Sequence, residues 1–147
     1  MLRRSIAAAA LLAAAVLSAE EGQFEKTIPF PRNPATLDFT ARKCTIRSVV
    51  VRNFPDEEDI EKARANDPKD TSWLWWEFEV DNRGPEKLKI KFFVEVLDKA
   101  GQIVKSGDRS VTIDGFESDE YRVSTRMRTI DAADSPKARI RVQIIPT

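Results

Sequence analysis

This sequence of 147 residues contains no histidine and one cysteine, Cys44. The absence of histidine removes the commonest general base and the commonest metal ligand from the chemistry open to the chain. The sequence also lacks a nucleophile elbow, a zinc-protease helix, a phosphate-binding loop and a dinucleotide-binding glycine motif. We therefore expect a protein that is not an enzyme and that carries neither a cofactor nor a catalytic metal.

A single cysteine cannot form an intrachain disulfide, so a hydrophobic core has to stabilise the fold. Cys44 alternates with Ile46 at the start of a segment rich in valine and isoleucine, residues 44–54, which predicts a strand. The pattern favours a small buried apolar side chain at Cys44. The alternative is an exposed thiol or a disulfide bridge between two chains.

An excess of charge of one sign is also missing. The chain has 24 basic and 24 acidic residues, and 22 basic against 24 acidic residues remain when residues 1–19 are set aside. Because the basic residues alternate with acids and form no run, the sequence carries no electrostatic signature of nucleic-acid binding.

Long apolar runs are limited to one segment at the start of the chain. Arg3 and Arg4 precede an apolar run of twelve residues, 6–17, which ends at the small residues Ser18 and Ala19. A membrane-spanning helix needs roughly 20 apolar residues, whereas a signal peptide has this shorter pattern. We expect residues 1–19 to be a cleaved signal peptide without a lipidation cysteine, and the protein to be exported to the periplasm or beyond with no membrane span. A retained N-terminal helix is the alternative.

The rest of the chain is typical of an all-β domain. Residues 20–36 are rich in proline and predict an extended arm or an edge strand, and residues 37–147 predict a β-sandwich of about seven strands. Besides residues 44–54, strands are expected in the segments 74–80, 88–96, 102–105, 110–113, around 121–127, and 138–144.

One segment, residues 56–65, predicts a short surface helix within a long connection. Asp56 can cap it, and Glu58 lies four residues before Lys62. The acids at 56–59, with Asp67 and Asp70, could also ligate Ca²⁺ through oxygen. Their spacing does not match a calcium-binding loop, so we favour a solvated helix terminus.

The segments 74–80 and 88–96 have the clearest alternation, with apolar residues at even positions. If they pair directly as a hairpin, acids face lysines across the pair, for example Asp81 opposite Lys87. If they lie in opposite sheets, as in immunoglobulin domains, their apolar faces meet across the core and the charges lie on opposite surfaces.

Residues 76–104 resemble the FxLyD-type and related immunoglobulin-like domains of exported bacterial proteins. In these domains an alternating strand leads through an Asn-containing turn to a long strand, followed by Asp and a Gly turn. Here Asn82, Gly84, Leu97 followed by Asp98, and Gly101 take those places. The resemblance implies an immunoglobulin-like sandwich, favours the arrangement in opposite sheets, and brings no catalytic residue, cofactor or defined ligand.

Outward-facing aromatic residues are the candidate site. Trp73 and Trp75 fall on the polar side of their strand, as Phe93 and Leu97 do on the next one. Exposed aromatic side chains can form a recognition patch for a protein or stack on sugar rings. The alternative is that residues 20–36 or the helical connection cover them. We expect a non-catalytic extracytoplasmic interaction or accessory module with an unknown protein partner, and a carbohydrate-binding module is the alternative.

Overall fold

The computed structural model describes residues 22–147, so the predicted signal peptide, residues 1–19, lies outside the described residues. The described chain forms eight strands and two short helices. In chain order these are β1 (Gln23–Pro29), β2 (Ala35–Ala41), β3 (Cys44–Arg52), α1 (Glu57–Asn66), β4 (Thr71–Asn82), β5 (Leu88–Leu97), β6 (Ile103–Ile113), β7 (Ser118–Arg128), α2 (Thr129–Asp134) and β8 (Lys137–Pro146).

The strands build two antiparallel sheets of four, in the orders β2-β3-β4-β7 and β1-β8-β5-β6. The chain crosses between the sheets from β4 to β5, returns from β6 to β7, and crosses again to β8. The predicted all-β sandwich with immunoglobulin-like strand crossings is confirmed. Strands β4 and β5 do not pair, so the hairpin alternative is wrong, and the acids of β4 and the lysines of β5 lie on opposite outer surfaces.

The core lies between the two sheets and is lined by the even-numbered residues of β4 and β5. Phe78 of β4 and Phe92 of β5 stack across it with ring centroids 4.4 Å apart, and both are fully buried. The Trp76 indole N–H donates to the Thr125 hydroxyl at 3.0 Å, so the one polar atom of this ring is satisfied inside the core. The alternation in the sequence therefore identified the inward faces correctly.

Residues 23–29 form an edge strand of the sandwich, which was one of the two expectations for the N-terminal segment. Strand β1 pairs with β8 along its whole length. Its aromatic residues also join the core, because Phe24 stacks on Phe39 at 5.0 Å and Phe30 contacts Trp76 at 5.2 Å. The segment is thus part of the domain, and it packs away from Trp73 and Trp75.

Helix α1 matches the predicted surface helix. The Asp56 carboxylate accepts the Asp59 N–H at 2.8 Å as the N-cap, and Lys62 pairs with Glu58 at 3.1 Å. Only Ala63 of the helix is buried. Because α1 buries so little apolar surface, it lies on the surface within the connection between β3 and β4 and does not extend the core.

Three elements differ from the expectation. Two short strands were expected at 102–105 and 110–113, but β6 runs without a break through both, because an edge strand tolerates the polar residues between them. Strand β2 and helix α2 have no counterpart among the predicted elements. The sandwich has eight strands instead of about seven because β1 and β2 are added while two predicted strands are joined in β6.

The turn after β4 is held by Asn82. Its side-chain amide donates to the carbonyls of Glu86 at 2.9 Å and Asp114 at 3.0 Å, and its oxygen accepts the Gly84 N–H at 3.2 Å. Asn82 is almost completely buried. This residue therefore ties the β4–β5 turn to the end of β6, and its role is structural.

Candidate functional site

Trp73 and Trp75 lie on the outer face of the sheet β2-β3-β4-β7. Their side chains are 53% and 38% exposed, whereas Trp76 between the sheets is fully buried. Neither the N-terminal strand nor α1 covers them, so the alternative in which one of these segments covers the tryptophans is wrong. Two large aromatic side chains on one strand therefore face solvent two residues apart.

The backbone that carries these tryptophans is fixed by Asn53, which follows the last residue of β3. The Asn53 side-chain amide donates to the Trp73 carbonyl at 2.6 Å, and its oxygen accepts the Trp75 N–H at 3.2 Å. Asn53 has a φ of 50°, a left-handed conformation that asparagine adopts more easily than most residues. The side chain thereby continues the pairing of β4 beyond the end of β3.

Arginine side chains surround the two indole rings. The Arg122 guanidinium lies 5.0 Å from the centre of the Trp75 ring, and the Arg126 guanidinium lies 5.9 Å from the centre of the Trp73 ring. Arg52 lies directly opposite Trp75 on β3. The distances of Arg122 and Arg126 from the ring centres fall in the range of cation–π attraction. We call Arg52, Trp73, Trp75, Arg122 and Arg126 the tryptophan–arginine patch.

A carboxylate beneath the patch anchors two of its arginines. Glu77 points outward but is only 8% exposed, because Arg122 and Arg52 lie 3.1 Å and 3.6 Å from its oxygens. Arg126 instead donates from Nε to the Thr71 hydroxyl at 3.1 Å. The patch therefore carries more positive than negative charge.

The opposite end of the same face is acidic. Glu79 and Glu120 lie directly across from each other on β4 and β7. The negative charge of Glu77, and more weakly that of Glu79, raises the pKa of Glu120. The neighbouring Asp81 is paired, since hydrogen bonds from Arg47, Ser118 and Arg83 hold its pKa well below the usual range. We call Glu79, Asp81 and Glu120 the acidic end.

Phe93 and Leu97 do not join the tryptophans. They belong to β5, so Phe93 lies on the outer face of the other sheet, where it is half-buried beneath the Arg141 guanidinium at 5.2 Å. It lines a groove of about 430 Å³ beside Phe24. Leu97 is only 4% exposed at the end of β5, where the pairing with β6 shifts by a residue between Val96 and Leu97 while the pairing with β8 stays in register. The expectation that Leu97 faces solvent is wrong.

The acids considered for Ca²⁺ have other partners in the structure. Asp56 caps α1, and Asp70 accepts the Thr129 hydroxyl at 2.9 Å. Within residues 22–147, no group of three or more acidic or cysteine side chains is arranged to hold a metal ion. In this structure Asp56 and Asp70 therefore accept hydrogen bonds from the first turns of α1 and α2.

Cys44 is fully buried at the start of β3, as its alternation with Ile46 predicts. Burial, together with the nearby charge of Asp81, raises the pKa of the thiol to about 11. A neutral, buried thiol is a poor nucleophile, so Cys44 has the properties of a core residue.

The sequence indicated the two tryptophans but not the residues that accompany them. Arg122 and Arg126 alternate with buried Val123, Thr125 and Met127, so the sequence does place them on an outer face. Only the pairing of β7 with β4 brings them to the indole rings. In the same way Asn53 and Arg52 reach the patch through the pairing of β3 with β4.

No protein-family model matches this chain, and no curated protein matches it either. A solved structure of a beta-glucuronidase from glycoside hydrolase family 2 is similar to part of it, with a TM-score of 0.39 and 15% sequence identity. The match covers 60% of this chain and 8% of the glucuronidase chain. A similarity of this size carries no information about the activity or the ligands of this chain.

Proposed function

We propose that this protein is a non-catalytic extracytoplasmic module that binds a partner protein through the tryptophan–arginine patch. The exposure of Trp73 and Trp75 on a fixed strand carries the proposal. Tryptophan and arginine are the residue types that contribute most to the energy of protein interfaces. Two indole rings on an ordered backbone lose little conformational entropy when a partner covers them.

The arginines favour a protein partner over a sugar. Arg122 and Arg126 already lie over the Trp75 and Trp73 rings, so they compete for the ring surface that a sugar would stack on. The same guanidinium groups are well suited to the carboxylates and backbone carbonyls of a protein. The binding test below therefore includes a set of glycans, so that carbohydrate binding is one of its possible results.

The non-catalytic character and the export are part of the proposal. The lack of histidine and the use of the outward acids in ion pairs support the first. The pattern of residues 1–19 supports the second, as does the resemblance of residues 76–104 to FxLyD-type domains of exported proteins. Sequencing the N-terminus of protein isolated from cell fractions tests export. We expect Glu20 as the first residue in the exported fraction, and a cytoplasmic protein that begins at Met1 would contradict it.

The binding test compares three immobilised forms of the chain: the wild type, Trp73→Ala with Trp75→Ala, and Phe116→Ala. Phe116 is 74% exposed in the turn before β7 and serves as an aromatic control outside the patch. A protein captured by the wild type and by Phe116→Ala should bind the double variant at least 30-fold more weakly, because hot-spot residues contribute about 2 kcal/mol or more.

The result that contradicts the proposal is equal capture by all three forms. A glycan panel provides the second arm, with tryptophan fluorescence as the signal. A spectral shift in the wild type that the double variant loses would assign the patch to sugar and overturn the protein-binding proposal.

A further inference from the structure

The outer face of the sheet β2-β3-β4-β7 carries opposite charges at its two ends. The tryptophan–arginine patch occupies the end near Thr71, and the acidic end lies near Asp81. Where the two ends meet, Arg122 of the patch lies directly across from Glu77 and forms an ion pair with it at 3.1 Å. Charge thus changes along one face of the sheet, from an excess of arginines at one end to an excess of acids at the other, where Arg47 and Arg83 pair with Asp81 and leave the two glutamates.

The charges at the two ends are not fully neutralised within the chain. Arg126 uses its Nε to bind a hydroxyl group, and its side chain is exposed. Glu79 and Glu120 lie directly across from each other as like charges, a pairing that destabilises a sheet by itself, and the nearby Arg47 is already bound to Asp81. A partner surface with acids over Arg126 and cations over the two glutamates would pair the Arg126 charge and offset the repulsion between the glutamates.

A second copy of the same face meets this requirement. A two-fold axis that lies in the plane of the interface, perpendicular to β4, places the patch of each copy over the acidic end of the other. A two-fold axis along β4 would instead place like charges over each other. Because two-fold dimers are the commonest oligomers, a self-complementary face of this kind has a simple symmetric solution.

The face is also large enough. Its longest strand, β4, has 12 residues and spans about 40 Å, while four strands span about 19 Å across the sheet. Specific interfaces bury roughly 800 Å² per partner. The outer face of this sheet is of that order, and its exposed tryptophans would supply the apolar area.

We infer that the outer face of the sheet β2-β3-β4-β7 is a homodimer interface, in which the strands of the two copies run antiparallel. This inference rests on the proposed function, since it names the protein partner of the patch as a second copy of the chain. Each copy would cover the tryptophans of the other with its acidic end.

The test uses two charge reversals, Arg126→Glu and Glu120→Arg, in the chain purified from the exported fraction. Sedimentation velocity over a range of concentrations gives the dimer dissociation constant. The wild type should dimerise, and added salt should weaken the dimer because its contacts are ionic. Each reversal alone repeats a like-charge contact twice and should weaken the dimer by at least tenfold, equal to about 1.4 kcal/mol.

An equimolar mixture of the two variants provides the decisive measurement. In the mixed dimer, each of the two contacts again joins opposite charges, so we expect dimers to return close to the wild-type level. Lys99→Glu makes the same change of charge on an exposed turn outside the face and should dimerise like the wild type. Circular dichroism checks that each variant is folded.

Three results would overturn the inference: a wild type that stays monomeric up to millimolar concentration, a dimer unaffected by both reversals, or a mixture that remains monomeric. A monomeric wild type that still captures another protein, and loses it with Trp73→Ala and Trp75→Ala, would leave the proposed function standing and remove the second copy as its partner.

Discussion

Replacing Thr125 with valine tests how the core holds Trp76. The Trp76 indole N–H donates to the Thr125 hydroxyl at 3.0 Å, and both residues are buried. Valine has nearly the same shape as threonine but no oxygen, so the substitution removes the acceptor with little change in packing. The Thr125 methyl group that faces Gly107 of β6 is kept.

The expected cost follows from the burial of the donor. Among residues 22–147 every buried side-chain nitrogen and oxygen atom has a partner, so the variant would create one orphaned N–H in the core. An unsatisfied buried donor costs about 1–3 kcal/mol. For a domain of this size, each kcal/mol lost lowers Tm by roughly 3–5 °C, so the expected loss lowers Tm by roughly 3–15 °C.

Urea unfolding followed by far-ultraviolet circular dichroism measures the loss without relying on tryptophan emission. Thr125→Ser is the control, because it keeps the hydroxyl and removes a methyl group, which costs about 0.8 kcal/mol. We expect the valine variant to be the less stable of the two. In a Trp76→Phe background, where the donor is gone, Thr125→Val should cost little. A serine variant less stable than the valine variant would refute the reasoning.

Three further predictions concern the turn, the thiol and acid stability. Asn82→Ala should cost about 1–3 kcal/mol in urea unfolding, because the buried amide of Asn82 is removed and the partly buried carbonyls of Glu86 and Asp114 lose their donor; a cost below about 0.5 kcal/mol would contradict this. Burial and the charge of Asp81 raise the pKa of the Cys44 thiol to about 11, so the thiol should resist a thiol reagent at pH 8 until the protein unfolds. Rapid labelling of the native protein would show instead that the thiol is accessible. The hydrogen bond from Arg47 is the largest cause that lowers the pKa of Asp81 in the folded state. The ionised Asp81 side chain therefore stabilises the fold fully above its unfolded pKa of about 3.9, and this contribution is lost as the pH falls from there toward the lower folded pKa. Asp81→Asn should therefore flatten the acid side of a plot of Tm against pH, and an unchanged slope would show that this carboxylate does not control acid stability.

The sequence identified the features that depend on near neighbours along the chain. Alternation at even positions marked Phe78 and Phe92 as inward-facing, and both are fully buried. The cap at Asp56 and the ion pair between Glu58 and Lys62 were evident because they join residues three or four apart. These signals are local, since side-chain direction in a strand or helix follows from backbone geometry.

The arrangement of the sheets was beyond the reach of local signals. The alternation of β4 and β5 fits both a hairpin and a pair of strands in opposite sheets, because each places the same residues in the core. The structure places the two strands in opposite sheets, which separates the tryptophans of β4 from Phe93 of β5. One expected aromatic cluster therefore became two surfaces on opposite sides of the molecule.

By itself, the sequence determined the β class, the inward faces of the strands, the capped helix and the outward direction of Trp73 and Trp75. Tertiary structure alone decided that Arg122 and Arg126 lie over those rings, that Leu97 is buried, and that charge changes sign along one sheet. The physical reason is that side-chain direction is fixed within a strand, whereas strand order and register are set by contacts between residues far apart in the chain.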